Sequence, residues 1–113
     1  MHELSIAQNI VEIAEEYAVK NNASIITEVE IEVGEMSGVV IEALEFAMQS
    51  ATLETMLSGA KVEIIDIKGK AKCIDCQNEF FISSLFEVCP KCNSFHSEII
   101  SGKELRVKSI LIE

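Results

Sequence analysis

The sequence lacks the features that would carry a chain into or across a membrane. Its 113 residues contain no apolar run near the ~18 residues that a membrane-spanning helix requires. The first residues are acidic and amphipathic, without the basic start and apolar stretch of a secretory signal. We therefore expect a cytoplasmic protein that forms one compact body or two very small ones.

Basic residues are scarce, and they are unevenly distributed. Residues 1–60 contain eleven carboxylates and a single base, Lys20, so this half carries the whole net charge of −10. A nucleic-acid surface needs a basic face that can release counterions from phosphates. The charge therefore argues against a nucleic-acid partner. The acidic half is expected to be a solvated surface, or to attract cations or a basic protein.

The residue types of a recognisable catalytic site are also few. The chain has only two histidines, His2 and His96, and no Ser/His/Asp order is compelling with so few. It has no glycine-rich loop of the kind that cradles phosphates. We therefore expect no enzyme, and any nucleotide hydrolysis would belong to a partner.

The hydrophobic pattern predicts an α+β fold. Apolar residues at helical spacing predict helices over residues 4–20 and 41–51. Strict alternation of acidic and apolar residues from Glu28 to Val33 predicts a strand with one buried face and one carboxylate face. Residues 61–67 and 105–113 are predicted as further strands, the last returning to the first sheet. The result is a small sheet packed with two helices, with an inserted zinc-ribbon-like module.

Two local features concern the first helix. Ser5 with Gln8 fits a capping box at the start of the first helix, unless the helix begins earlier. The first helix carries two neighbouring apolar stripes. One is Ile6, Ile10, Ile13 and Tyr17, and the other is Ala7, Val11, Ala14 and Ala18.

Cysteine occurs only in two identical pairs. Cys73 and Cys76 form one Cys-x-x-Cys, Cys89 and Cys92 form the second, and twelve residues separate them. Each pair can aim two thiolates at one ion, and the two pairs together complete a tetrahedron. Such pairs without a secretory signal fit a reducing compartment, where thiols bind metals more often than they form disulfides. The spacing predicts a structural Zn(II) without an open coordination position.

Iron is the main alternative at the cysteines, because Cys89-Pro-Lys-Cys92 resembles a rubredoxin knuckle. An iron protein would be coloured, whereas a zinc protein is colourless. Asn93 follows the second pair where a glycine is common, and asparagine is the residue that next best tolerates a left-handed backbone. Lys72 and Lys91 lie beside the cysteines and can partly offset the negative charge of four thiolates.

The second candidate site is the amino terminus, Met1-His2-Glu3. His2 is bulky, so removal of Met1 is not favoured and a free amine is expected beside the histidine. Amine, amide nitrogens and imidazole can close small chelate rings around one ion, which suits square-planar Ni(II) or Cu(II) better than Mg²⁺ or Ca²⁺. An amide in the first turn of a helix can lose its proton without breaking a helical bond. The alternative is a disordered end with an incidental histidine.

Taken in order, these motifs resemble the HypA/HybF family of nickel metallochaperones for nickel–iron hydrogenase maturation. The resemblance rests on Met1-His2-Glu3-Leu4-Ser5 opening an acidic helix, Gly34 to Gly38, Gly59-Ala60 leading into a strand, and the paired cysteines. It covers essentially the whole chain. Relatives often have proline at the position of Ile41 and glycine at that of Asn93, and both departures concern backbone shape rather than ligands.

The resemblance implies the chemistry of both sites. It implies a nickel site on His2, the backbone nitrogens around it, including that of Glu3, and Met1. It implies a zinc site at Cys73, Cys76, Cys89 and Cys92. Ni(II) would be cargo, transferred with a GTPase partner of the HypB type toward the hydrogenase large subunit. Some relatives also serve urease, so urease maturation proteins are a further class of partner.

His96 is the remaining histidine, and relatives carry a histidine near its position. That resemblance implies an extra nickel ligand, reached if the zinc module swings toward the amino terminus. The alternative is an exposed polar residue. We expect residues 1–69 with 104–113 to form the nickel-binding domain and residues 70–103 the four-cysteine module.

Two functions therefore remain open for the whole chain. The first is a non-enzymatic nickel carrier, either a monomer or a homodimer. The second is an adaptor whose zinc ribbon and acidic face dock proteins and in which His2 has no role.

Overall fold

A computed structural model describes residues 2–84 and 87–113 of the chain. It contains two helices and six strands, which in chain order are α1 (Glu3–Lys20), β1 (Ile26–Gly34), α2 (Ile41–Ala51), β2 (Lys61–Ile67), β3 (Lys70–Cys73), β4 (Glu79–Phe81), β5 (Ser97–Ser101) and β6 (Leu105–Ile112). Within the described residues, neither helix is both long and apolar enough to cross a bilayer.

The first sheet has three strands in the order β2-β1-β6. Strand β1 runs parallel to β2, with α2 as the connection between them, and antiparallel to β6. A parallel pair needs such a crossover, because its second strand must start again from the same end. The prediction that the last strand returns to the sheet of the first half is confirmed.

The main core lies between this sheet and the two helices. Alternate residues of β1 point into it, among them Val29, Ile31 and Val33, and α2 contributes Leu44 and Met48. The intervening carboxylates of β1 lie on the opposite face, where Glu30 accepts a hydrogen bond from the Ser109 hydroxyl and Glu32 pairs with Arg106. The predicted division of this strand into an apolar and a carboxylate face is thus confirmed.

Helix α1 buries mostly small residues. Ala7, Ile10, Val11, Ala14 and Ala18 are buried, whereas Ile13 and Tyr17 keep 52% and 45% of their surface exposed. The alanines let the helix approach α2 and the sheet closely. Of the two predicted stripes, the alanine and valine stripe faces the core, and the stripe from Ile6 to Tyr17 lines the groove between α1 and β6.

The second sheet is smaller and fully antiparallel, in the order β4-β3-β5. In the described part of the chain, its core consists of five buried residues, namely Ala71, Cys73, Phe80, Ile82 and Cys89. Two of these five are cysteines, so the apolar core of this half is very small.

Three glycines lie where the chain crosses between the two sheets. Gly34 donates its N–H to the carbonyl of Glu104 at 2.6 Å, and Met36 donates to the carbonyl of Gly102 at 2.7 Å. A Cβ on Gly34 would overlap the backbone of Gly102, and one on Gly69 would overlap the carbonyl of Ile82. The crossing therefore depends on backbone segments packed against each other with no side chain between them. We call this contact of Gly34, Gly69 and Gly102 the glycine crossing.

Helix α1 begins earlier than the capping-box interpretation required. It starts at Glu3 with His2 as its N-cap residue, so Ser5 already lies inside the first turn. Of the two helix starts that the sequence left open, the structure has the earlier one, and Ser5 does not cap the helix because the chain is helical before it reaches that residue. The second helix and the strand at 61–67 have the predicted bounds. The division into domains 1–69 with 104–113 and 70–103 stays a prediction.

Replacing Gly34 by alanine is expected to destabilise the protein by about 1–3 kcal/mol, because the added methyl group has no room in the glycine crossing. Gly59→Ala is the matched control, since a Cβ there would meet no heavy atom of the described residues within 4 Å. That variant should stay within about 0.5 kcal/mol of the parent. Urea unfolding of the zinc-loaded proteins measures both values. Equal stability of the two variants would contradict the tight packing of this crossing.

Candidate metal centre

The four cysteine sulfur atoms lie together at one end of the second sheet. Cys73 ends β3, Cys76 follows in the turn after it, and Cys89 and Cys92 lie on the loop before β5. All four sulfur atoms are within 4.8 Å of one another. Ligands that share one ion are separated by distances of this size. The structure thus brings the two cysteine motifs together, as the sequence predicted.

The sulfur distances fit zinc. The Cys73 and Cys92 sulfur atoms are 3.5 Å apart, and those of Cys76 and Cys89 are 3.6 Å apart. Four sulfur atoms at 2.3 Å from one tetrahedral ion would be separated by about 3.8 Å. The thiols are free rather than disulfide-bonded. A closed set of four thiolates is typical of a structural zinc site.

The two cysteine motifs fold alike. The N–H of Gln77 donates to the carbonyl of Cys73 at 2.9 Å, and the N–H of Asn93 donates to that of Cys89 at 2.8 Å. Gln77 and Asn93, each directly after the second cysteine of its pair, have φ values of 66° and 61°. The left-handed Asn93 was predicted, but sequence reasoning missed Gln77, because glutamine gives no local signal for this conformation.

The four thiols are not equivalent in proton affinity. Burial opposes ionisation of Cys89, but hydrogen bonds from the backbone N–H groups of Cys92 and Lys91 outweigh it and lower its pKa to about 6. The backbone of Ser94 favours the thiolate of Cys92, yet the neighbouring thiols and burial raise its pKa to about 12. The pKa of Cys76 is also raised, because burial and the Cys89 thiol outweigh a hydrogen bond from the backbone of Asn78.

His96 lies beside the first cysteine motif. Its side chain is 77% exposed, and its Nδ1 is 3.5 Å from a carboxylate oxygen of Asp75. The hydroxyl of Ser94 bonds to the same carboxylate and accepts a hydrogen bond from the His96 N–H at 3.0 Å. Sequence reasoning missed this Asp75–Ser94–His96 group, because nothing in the spacing indicates that the two cysteine loops bring these residues together.

At the other candidate site, His2 is exposed and immediately precedes α1. Its carbonyl accepts a hydrogen bond from the Ile6 N–H at 3.2 Å, so the helical pattern begins at this residue. Glu3 is half-buried, and its carboxylate is 3.5 Å from the backbone nitrogen of Val40. Met1, the third residue predicted for nickel, lies outside the described residues.

The structure does not gather the predicted nickel residues into a side-chain cluster. Within residues 2–84 and 87–113, potential metal ligands converge in groups of three or more only at the four cysteines. The group includes neither His2, Glu3 nor His96. A site at the amino terminus would therefore have to use backbone nitrogens and the terminal amine besides the imidazole.

The chain matches a family model over residues 1–112, and that model is described as hydrogenase/urease nickel incorporation, metallochaperone, HypA. Among similar sequences is a hydrogenase maturation factor HypA from Parabacteroides distasonis, which is 48% identical over all of this chain and 98% of its own length. Another is a hydrogenase maturation factor HypA from a Geobacter species, 42% identical over the full length of both.

Solved structures agree with these matches. The solution structure of the Ni metallochaperone HypA from Helicobacter pylori superposes with a TM-score of 0.70 at 31% identity, over 99% of this chain and 97% of that one. A second HypA solution structure gives a TM-score of 0.75 at 31% identity, over 100% and 97% of the two chains.

Zinc affinity is expected to fall as the pH falls. The raised pKa values of Cys76 and Cys92 keep both thiols protonated in the metal-free protein at neutral pH, whereas Cys89 is ionised above about pH 6. Zinc must displace those protons, so affinity should drop about tenfold per pH unit for each proton displaced. Chelator competition between about pH 6.5 and pH 8 measures the slope.

Cys92→Ser is the control for this slope, because it removes a ligand together with one displaced proton. The variant should bind zinc more weakly and with a shallower dependence on pH. An affinity of the parent protein that did not change with pH would show that the thiols are already ionised.

Proposed function

Because the chain belongs to the HypA family of nickel metallochaperones that act in hydrogenase maturation, we propose that it binds Ni(II) at its amino terminus and delivers the ion. The ligands in this proposal are the amine of Met1, the imidazole of His2 and the backbone nitrogens around it, including that of Glu3. The four cysteines hold a structural zinc ion in the other half of the chain.

The observation that supports the nickel site best is the position of His2. The imidazole is exposed at the N-cap of α1, and the next residue is the first of the helix. The first N–H groups of a helix have no carbonyl partner within it. The amide nitrogens beside His2 can therefore lose their protons to a metal without unfolding the first turn. Such a nitrogen set suits Ni(II) in square-planar geometry.

The electrostatics of this position favour release as well as binding. The N-terminus of a helix carries partial positive charge, which opposes a bound cation. Glu3 lies in the first turn and offsets part of that charge. A carrier needs a site that is selective and yet gives up its ion, and a terminal site with one side-chain ligand meets both needs better than a closed cage.

The remaining roles follow from this carrier function. The acceptors are the hydrogenase large subunit and, in some settings, urease maturation proteins, with a GTPase of the HypB type as the partner that hydrolyses nucleotide. The protein acts in the cytoplasm as a monomer or homodimer and has no catalytic role. His96 is a further nickel ligand only in an arrangement that brings the four-cysteine module to the amino terminus.

Replacing His2 by alanine is expected to abolish stoichiometric nickel binding, because it removes the one side chain of the proposed ligand set. Zinc content and helicity should be unchanged, since neither the cysteines nor the helix contacts depend on the imidazole. Calorimetric nickel titration with parallel zinc analysis measures both. Unchanged nickel binding would favour the adaptor function, in which the zinc module and the acidic face dock proteins.

One residue added before Met1 provides an independent test. The extension moves the terminal amine away from His2 and should weaken nickel binding at least tenfold, while every side chain of the protein remains. An extension without effect would mean that the amine is not a ligand.

A further inference from the structure

We propose that the carboxylate of Glu3 positions the amino-terminal nitrogens by bonding to the start of α2, and that it does not itself ligate nickel. Glu3 is then a positioning residue, distinct from the nitrogen ligands beside it. The inference rests on the nickel site proposed above and adds how the chain holds that site in shape.

Both helices begin without a side-chain cap of their own. Among the described residues, neither His2 at the start of α1 nor Val40 at the start of α2 makes a capping hydrogen bond with its side chain. Each start leaves backbone N–H groups that need an acceptor from elsewhere. Uncapped starts are less stable by about 1 kcal/mol than capped ones.

Glu3 supplies an acceptor for α2. Its Oε2 lies 3.5 Å from the backbone nitrogen of Val40, the N-cap residue of that helix. Glu3 is at the same time the first residue of α1, so one carboxylate lies between the positive ends of two helix dipoles. A negative charge is favourable there before any metal binds, and the carboxylate is already turned toward α2.

A second carboxylate joins the same two segments farther along. The Oε2 of Glu15 accepts a hydrogen bond from the backbone N–H of Met56 at 3.1 Å, beyond the end of α2. Near its own start, helix α1 is thus attached through Glu3 to the residue before α2. In its last third, it is attached through Glu15 to the chain beyond α2. The two contacts are of the same kind, but only the first adjoins His2.

The start of α2 is itself held in place. The N–H of Val39 donates to the Ser37 hydroxyl at 3.2 Å, and the N–H of Met36 donates to the carbonyl of Gly102 at 2.7 Å. The loop before α2 is therefore anchored at the glycine crossing. Through Val40, Glu3 fixes the first turn of α1 against an anchored part of the fold, which limits motion of the nitrogens at residues 2 and 3.

Val40→Pro tests the contact without changing any residue of the nickel site. Proline has no N–H to donate, and the φ of −85° at Val40 is near the range that proline adopts. We expect this variant to raise the nickel dissociation rate about three- to tenfold, because it removes the bond to Glu3. Glu3→Ala should raise the rate at least as much, because it removes the same bond and the charge beside the helix start. The double variant should release nickel no faster than Glu3→Ala alone, because the bond is already absent in that variant.

Two further variants separate positioning from other roles. Glu3→Gln keeps an amide oxygen that can accept from Val40 but loses the carboxylate and its charge. Its nickel absorption spectrum should stay that of the parent, and its nickel dissociation rate should rise less than that of Glu3→Ala, because only the charge is lost. Glu15→Ala removes the matched contact far from His2 and should leave nickel dissociation unchanged. Stopped-flow transfer of nickel to a chelator measures the rates, and circular dichroism confirms that each variant is folded.

The proposal is overturned if Glu3→Gln loses nickel as fast as Glu3→Ala while the folded Val40→Pro variant releases nickel at the rate of the parent. That result would make the carboxylate a ligand. It is overturned equally if Glu15→Ala accelerates release as much as Glu3→Ala, because the effect would then be one of general stability. Failure of the nickel site itself would appear differently, as a His2→Ala variant that still binds nickel.

Discussion

The close approach of backbone at Gly34, Gly69 and Gly102 is the constraint on which the arrangement of the whole chain depends. The chain leaves the first sheet after β2 and returns to it before β6, and both passages meet the end of β1 at this point. Side chains at these positions would separate the segments, because their Cβ atoms would overlap neighbouring backbone. The glycines thus let the chain pass directly from one sheet to the other. The loop that follows Gly34 leads from the same point to the first turn of α2.

The two halves on either side of the crossing are stabilised by different means. The first half buries a continuous apolar core between a three-stranded sheet and two helices. The second half buries five residues in its described part, and two of them are metal-binding cysteines. So small an apolar core contributes little stability, and a metal that joins four side chains supplies what the core lacks. Zinc therefore serves the fold, and the proposed nickel site lies at the other end of the chain.

Local pattern predicted the elements of this protein well, and long-range contacts account for what it missed. The alternation from Glu28 to Val33 indicated the strand and its two faces, and the two cysteine pairs indicated a shared site whose sulfur atoms do meet. Ser5 fitted a helix cap equally with an earlier helix start, and no sequence pattern at His2 could decide between them. Gln77 in a left-handed conformation and the contact of Glu3 with Val40 depend on the folded chain, so composition and spacing contain no sign of them.

The most direct test of the account is X-ray absorption spectroscopy at the nickel edge on the zinc-loaded protein with one equivalent of nickel added. Coordination by the terminal amine, amide nitrogens and His2 predicts a first shell of nitrogen and oxygen donors, with the zinc edge still reporting four sulfur neighbours. A nickel shell that contains sulfur, or a zinc shell that loses it on nickel addition, would contradict the assignment of separate ions to the two ends of the chain.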